Sequence, residues 1–309
     1  MSTLVEARAL TKSFDKTRAV QGISLTVAAG ESYGLVGPDG AGKTTVIRLL
    51  MGALTPDSGS VELCGTNLAT DQDKARSTTG YLAQRFALYT DLSVHENLAF
   101  FAAVRGMPAS AVQARITELL GFVSLAGFEH RLAGQLSGGM KQKLGLACAI
   151  VHSPKVLLLD EPTAGVDPVT RQDFWQLLIR LLAGGMALVV TTTYMDEATR
   201  CQRLGFMHSG RMLTTGSPRA LIQAFEGAVL ELTATPLKHA RSICMQDVDM
   251  MDAVTFGDRL HLRVRSAAGP LQRLPAALAH AAVTVTQLRP IAPTLEDVFI
   301  ALLAAAPAP

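Results

Sequence analysis

Cysteine pairs, basic runs and long apolar stretches are all missing from this sequence of 309 residues, and each gap closes off a class of protein. The four cysteines (Cys64, Cys148, Cys201 and Cys244) show no CxxC spacing, so metal and disulfide roles are not indicated and reduced, mostly buried thiols are expected. The formal net charge is +2 and no Lys/Arg run stands out, so nucleic acid is not an expected partner. Hydrophobic residues make up 49% of the chain, yet the best apolar stretch, residues 181–193, is only 13 long, contains Gly184-Gly185 and follows Arg180. A membrane span needs about 20 apolar residues. Residues 1–10 have no apolar core behind a basic start, so no secretory leader is read there. What is left is a chain expected to stay in the cytoplasm, with an apolar docking surface. The length suits one large domain plus a small one, and no internal repeat is visible.

What the sequence does contain is organised around residues 37–45, Gly37-Pro38-Asp39-Gly40-Ala41-Gly42-Lys43-Thr44-Thr45. They fit the phosphate-loop template of a glycine, four residues, then Gly-Lys-Ser/Thr. Ahead of them Tyr33-Gly34-Leu35-Val36 reads as a short buried strand, and residues 46–50 read as an amphipathic helix, which is the context the template needs. Gly37, Gly40 and Gly42 permit a tight turn that aims several backbone N–H groups at one anion. The helix start adds partial positive charge where phosphates would lie. Lys43 can reach the β- and γ-phosphates, and the Thr44 hydroxyl can ligate Mg²⁺. The stretch implies binding of a nucleoside triphosphate.

Around this loop, strands alternate with helices. Residues 4–10 and 23–27 alternate apolar and polar positions as half-buried strands do, with a turn-like Lys12-Ser13-Phe14 between them. A turn is expected over residues 55–60, a strand pair near 61–63, a helix near 71–77 and a strand at 80–82. From Arg85 the pattern is mostly helical: 93–105 behind a Ser93/Glu96 capping-box spacing, then 109–123 and 137–152. Buried strands are read at 156–159 and 187–192, a helix at 174–182, a hairpin over 206–215 and a short helix at 218–225. An α/β layered core follows. Beyond Gly227 the pattern changes to strands at 229–234, 260–265 and 283–286 with helices near 237–244 and 271–281, then an apolar helix at 298–305 opened by a cap-like Thr294. The expected division is 1–226, with a helical subdomain over about 85–153, and a small α+β domain over 227–305. The tail 306–309 is expected to be disordered.

Two further stretches carry chemistry. Leu157-Leu158-Leu159-Asp160-Glu161-Pro162 puts two carboxylates at the end of a buried strand, where α/β sheets place ligands. Asp160 can hold Mg²⁺, and Glu161 can accept a proton from an attacking water. Leu136-Ser137-Gly138-Gly139-Met140 offers a helix N-cap followed by exposed backbone N–H groups, a second anion site separate from the first.

Taken together, these three stretches resemble the ATP-binding subunits of ABC transporters, whose signature reads LSGG. The resemblance spans residues 4–225 and implies a P-loop NTPase core with a helical subdomain. It implies MgATP as ligand, ATP hydrolysis as activity, and further site residues. Phe14 matches the aromatic that stacks on adenine. Gln84 matches the glutamine that links Mg²⁺ and the attacking water to the helical subdomain. Val166-Asp167 matches the loop that crosses between protomers. In this family two ATP-binding subunits face each other head to tail, each ATP lying between one phosphate loop and the other's Ser137-type helix start. One chain carrying two half-sites for one anion agrees with that.

One position departs from the family. Where a histidine usually follows the strand after Asp167, this sequence reads Thr191-Thr192-Thr193-Tyr194-Met195-Asp196-Glu197-Ala198, with Thr193 in the histidine's place. Threonine is shorter and carries no charge, so ATP binding with slow hydrolysis is expected. Thr294-Leu295-Glu296-Asp297-Val298-Phe299 and the stretch 90–98 resemble the drug-export subgroup, implying separate ABC-2 type membrane subunits and a place on the cytoplasmic face of the inner or plasma membrane. Two alternatives stay open: a soluble family relative outside transport, and a regulatory subunit that scarcely hydrolyses. The first is disfavoured by a single cassette and by the lack of a heptad run between Gln84 and Ser137.

Overall fold

A computed structural model of the chain describes residues 2–84 and 88–305. The expectations for Met1, for the start of the helical segment at Arg85 and for the tail 306–309 lie outside the described residues. The chain divides into two compact units after Ser217.

The N-terminal unit begins with an antiparallel sheet. Strand β1 (Thr3–Phe14) pairs with β2 (Thr17–Ala28) and, on its other side, with β4 (Ser58–Leu63), which also pairs with the short β5 (Thr66–Asn67). Lys12-Ser13-Phe14, expected as a turn, is instead the end of β1. The Asp57 carboxylate accepts from Lys12 Nζ (2.9 Å) and from the Ser13 N–H (2.6 Å), which holds that end extended. The turn itself falls at residues 15–16, with Asp15 left-handed.

The central sheet has the order β10-β9-β3-β8-β7-β6. Its members are β3 (Ser32–Val36), β6 (Thr79–Leu82), β7 (Val156–Asp160), β8 (Ala187–Thr192), β9 (Arg203–His208) and β10 (Arg211–Gly216). All pairings are parallel except β9 with β10. Every residue of β3, β7 and β8 is buried, as parallel strands covered on both faces require. Val156 and Leu158 join a core with α1 (Lys43–Leu50) and the antiparallel sheet, while Leu157 and Leu159 join the core of the helical side. Burying each such side chain contributes roughly 1.5–3 kcal/mol.

Helix α2 (Gln72–Ser77) is capped by Asp71, which accepts from the Lys74 N–H. The helical side comprises α3 (Val94–Val104), α4 (Ala109–Phe122), α5 (Gly138–Ala149) and α6 (Pro168–Ala183). The capping box at Ser93 forms as expected: Ser93 N–H donates to Glu96 Oε2 (2.7 Å) and Glu96 N–H to Ser93 Oγ (3.1 Å). Helix α6 starts well before the expected residue 174. Asp167 caps it and Pro168 occupies its first turn, an arrangement that pre-sets the helix backbone. Helix α7 (Met195–Ala198) follows β8.

The C-terminal unit contains α8 (Pro218–Gln223), β11 (Ala228–Thr235), α9 (Leu237–Cys244), β12 (Met250–Phe256), β13 (Arg259–Val264), α10 (Ala268–His280), β14 (Thr284–Ile291) and α11 (Leu295–Ala305). The division precedes the expected 226/227 boundary because α8 packs on α11. From β11 to β14 the order is βαββαβ with an antiparallel sheet β12-β13-β11-β14, the ferredoxin-like arrangement. Strand β12 went unread in the sequence. Leu230, Leu232, Leu260 and Leu262 face α9 and α10. On the other face His261 Nδ1 meets Asp297 of α11 at 2.8 Å, and Glu231 holds Arg259 and Arg289. No helix among the described residues is long and apolar enough to cross a membrane.

His152, just past α5, gives the N-terminal unit a pH response. Its Nε2 lies 3.2 Å from the Thr79 carbonyl. Burial, with the nearby charge of Arg105, lowers its pKa from 6.5 to about 4. The unfolded chain therefore takes up a proton that the folded chain refuses, so this contribution to stability is complete above pH 6.5 and is lost as pH falls from 6.5 towards 4. Urea denaturation at stepped pH is expected to show that decline in the parent and a shallower one in His152→Gln.

Candidate functional site

The turn between β3 and α1 admits no side chain at two points. A Cβ on Gly37 would lie 2.2 Å from the Met207 carbonyl oxygen, and one on Gly42, at φ 99°, 2.2 Å from that of Ala19. Gly42 is the N-cap of α1, so the loop closes directly onto a helix start whose N–H groups lack internal partners. Lys43 is 4% exposed. Its Nζ donates to the carbonyls of Gly37 (2.8 Å) and Pro38 (3.0 Å) and pairs with Glu161 Oε1 at 3.1 Å.

Strand β7 delivers the two carboxylates. The Thr44 hydroxyl donates to Asp160 Oδ1 at 3.0 Å, and the Thr191 hydroxyl donates to the same oxygen at 2.7 Å. In the parallel pairing of β7 with β8, Asp160 stands directly beside Thr191. Glu161 is left-handed, with φ 46°, a conformation that a residue with a Cβ rarely holds unaided. Its N–H donates to the Thr191 hydroxyl (2.9 Å) and carbonyl (3.2 Å). Its Oε2 accepts from Gln84 Nε2 at 2.9 Å.

These groups line a cavity of about 920 Å³, bounded by residues 39–45, Gln84, Glu161, Lys16 of the β1–β2 turn, residues 17–19 and Gln21 of β2, and Ser209 and Gly210 of the β9–β10 turn. That last turn is fastened on both sides: Gly210 N–H donates to the Ala41 carbonyl (3.0 Å), and Gln21 N–H donates to the Gly210 carbonyl (2.8 Å).

Of the sequence-read residues, Asp39, Gly40, Ala41, Gly42, Lys43, Thr44, Thr45, Gln84 and Glu161 therefore meet in one place, with Gly37, Pro38 and Asp160 bonded to them. Others lie outside that cavity. Phe14 ends β1, 44% exposed, with the Lys12 ammonium 5.8 Å from its ring centre. Ser137 caps α5, accepting from the Met140 N–H (3.3 Å), and Gly138 and Gly139 form the first turn. Asp167 accepts from the Val169 and Thr170 N–H groups at 3.1 and 3.0 Å, and its bonds to Thr170 hold its pKa below the usual range. Thr193 lies between β8 and α7.

Sequence reading missed Thr191, which ties Asp160 to Glu161; the available signal was a hydroxyl residue near the end of a strand adjoining the carboxylate strand. It also missed Lys16, the first residues of β2 (17–19) and the turn residues 209 and 210, which reach the cavity only through the packing of separate strands.

The donor set suits a magnesium ion accompanying phosphates. Magnesium takes one or two carboxylates with further hard oxygens, and the Thr44 hydroxyl and Asp160 carboxylate converge to 3.0 Å. Among the described residues no group of three or more His, Cys, Asp and Glu side chains is placed to hold a metal alone.

Residues 20–164 match the family described as ABC transporter. The chain is 40% identical over 292 residues to the protein named probable multidrug ABC transporter ATP-binding protein YbhF of Escherichia coli K12, which covers 93% of this chain and 50% of that protein. It is 43% identical over 230 residues to Nod factor export ATP-binding protein I of Burkholderia lata, covering 74% and 76%. The chain thus spans about half the length of the first relative. Among solved structures, CbiO1 of Clostridium perfringens, described as part of the ABC transporter complex cbiONQ, superposes with a TM-score of 0.67 at 26% identity, over 72% of this chain and 92% of that one. An ATP-binding subunit of an ABC transporter superposes with a TM-score of 0.65, also at 26% identity, over 71% and 92%.

Adding a Cβ at Gly37 drives it into the Met207 carbonyl and displaces the phosphate loop. Gly37→Ala is expected to weaken ATP binding by about tenfold or more, a loss of roughly 1.4 kcal/mol or more, measured by calorimetric titration. Equal affinity in parent and variant would show that the loop does not carry the ligand.

Proposed function

The chain belongs to the ABC transporter ATP-binding family, and from that premise we propose that it hydrolyses ATP to power export of a drug-like or lipid-like substrate through separate ABC-2 type membrane subunits. One observation carries the hydrolytic part: Glu161 stands between the Lys43 ammonium and the Gln84 amide at the end of a buried strand. The export part rests on the relatives, one named for Nod factor export and one as a multidrug transporter subunit. It also rests on the C-terminal stretch 294–299.

The residues act as follows. The helix start at Gly42 and the loop N–H groups hold the phosphates. The Lys43 ammonium turns from Glu161 to the more highly charged phosphate oxygens, which leaves Oε1 of Glu161 free to accept the proton of the attacking water. The Gln84 amide orients that water. Thr44 and Asp160 would hold magnesium, which when bound neutralises charge developing on the phosphate oxygens. Thr191 keeps Asp160 and the backbone of Glu161 in register.

The helix start at Ser137 lies outside the cavity of its own chain, so a second chain, either a copy or a paralogue, supplies it across a head-to-tail dimer, with Asp167 at the crossing and Phe14 stacking the base. The membrane partner seats on the helical side, where Tyr89 and Phe100 are exposed with ring centres 4.7 Å apart. On this reading the protein sits peripherally on the cytoplasmic face of the membrane. No nucleic acid is involved. The C-terminal unit stabilises or regulates the pair.

Removing the proton acceptor while keeping its shape arrests the cycle with ATP bound. Glu161→Gln is expected to accumulate an ATP-dependent two-chain assembly in size-exclusion chromatography with light scattering; a monomer at every nucleotide level, in parent and variant alike, sinks the dimer reading. A hydrogen bond to a charged group is worth roughly 1.5–3 kcal/mol, so Thr193→His is expected to raise turnover by about 10- to 100-fold. A variant no faster than the parent removes Thr193 as the cause of slow hydrolysis.

A further inference from the structure

Beyond Thr193 the chain buries a carboxylate that the hydrolytic machinery above does not use. Glu197, on α7, is 1% exposed, and an ionised group at that depth is costly unless it is held. Burial pushes its pKa up, against the Thr192 hydroxyl, the Trp175 indole and the Arg171 guanidinium. Its Oε1 accepts from the Thr163 hydroxyl and lies 3.7 Å from Arg171 Nε.

Thr163 is two residues past Glu161, in the loop between β7 and α6. That loop is fastened from three other elements. The Pro162 carbonyl accepts from Gln142 Nε2, a side chain of α5 that is 4% exposed. Thr163 is held by Glu197 of α7. The Val166 carbonyl accepts from Arg171 of α6 at 3.4 Å. Arg171 is itself fixed, 3.2 Å from Asp196 and stacked 4.2 Å over the Tyr194 ring. At the head of the loop sits Glu161, whose left-handed backbone persists only if the surroundings impose it.

We propose that Glu197 is a positioning residue for hydrolysis: through Thr163 it fixes the loop that keeps the Glu161 carboxylate between Lys43 and Gln84. The loop is tied at Pro162 to α5, the helix that Ser137 caps, so the same fastening gives the second chain's engagement at Ser137 a mechanical path to Glu161. The role rests on the ATP hydrolysis proposed above. A misplaced carboxylate costs rate and leaves nucleotide affinity unchanged, because Glu197 touches neither the phosphate loop nor the cavity.

The test is steady-state hydrolysis by the purified full chain with ATP varied. Glu197→Ala and Thr163→Val are expected to lower kcat about 10- to 100-fold, with KM for ATP within about twofold of the parent. Glu197→Gln, whose amide oxygen still accepts from Thr163, is expected to keep most of the parent's kcat. The double variant Thr163→Val/Glu197→Ala is expected to be no slower than the slower single variant, because both changes break one contact. Thr163→Val preserves side-chain shape, so the test stands even if Glu197→Ala fails to fold. A hydrolysing parent with unchanged kcat in folded Thr163→Val, or a Glu197→Gln as slow as Thr163→Val, overturns this role alone. A parent that does not hydrolyse ATP overturns the functional reading and this role with it.

Discussion

The pairing of β7 with β8 is the constraint on which the site depends. It sets Asp160 beside Thr191, and from that one adjacency a single hydroxyl reaches both the Asp160 carboxylate and the Glu161 N–H. Slipping a strand by one residue reverses which side chains face which layer. Here a slip would send Leu157 and Leu159 from the helical core into the core around α1. The register is therefore held by hydrophobic burial over the whole sheet, and the polar geometry at its end is inherited from that burial.

Much of this was legible in the sequence because the signals were local. The phosphate loop announced itself by glycine spacing, and the structure shows why Gly37 and Gly42 are required: carbonyls from β9 and β2 stand where a Cβ would go. The continuous apolar run of β7 and the capping box at Ser93 were equally plain, since each needs only a few consecutive residues. Misreadings arose where a distant partner decides the backbone. Lys12 and Ser13 look like turn residues until Asp57, far along the chain, draws them straight. Strand β12 alternates too weakly to be seen alone, and it forms because β13 offers it an edge.

The site divides the same way. Lys43, Thr44, Asp160 and Glu161 were readable as residue types in a pattern, and the structure brings them within hydrogen-bonding distance of one another or of shared partners. Thr191 and Glu197 were not, because nothing in a run of threonines or in a short acidic turn says that its side chain points inward to the carboxylate strand or the loop that follows it. Their contribution exists only once three layers are stacked. Phe14, Ser137, Asp167 and Thr193 carry recognisable sequence context yet stand outside the cavity of their own chain.

The β9–β10 turn has a consequence for motion. Gly210 is hydrogen-bonded to Ala41 in the phosphate loop on one side and to Gln21 of the antiparallel sheet on the other. The two sheets are thereby stitched together beside the phosphate loop. The Ser137 cap belongs to α5 on the helical side, so any displacement of that helix would carry the cap with it without breaking either of these two bonds.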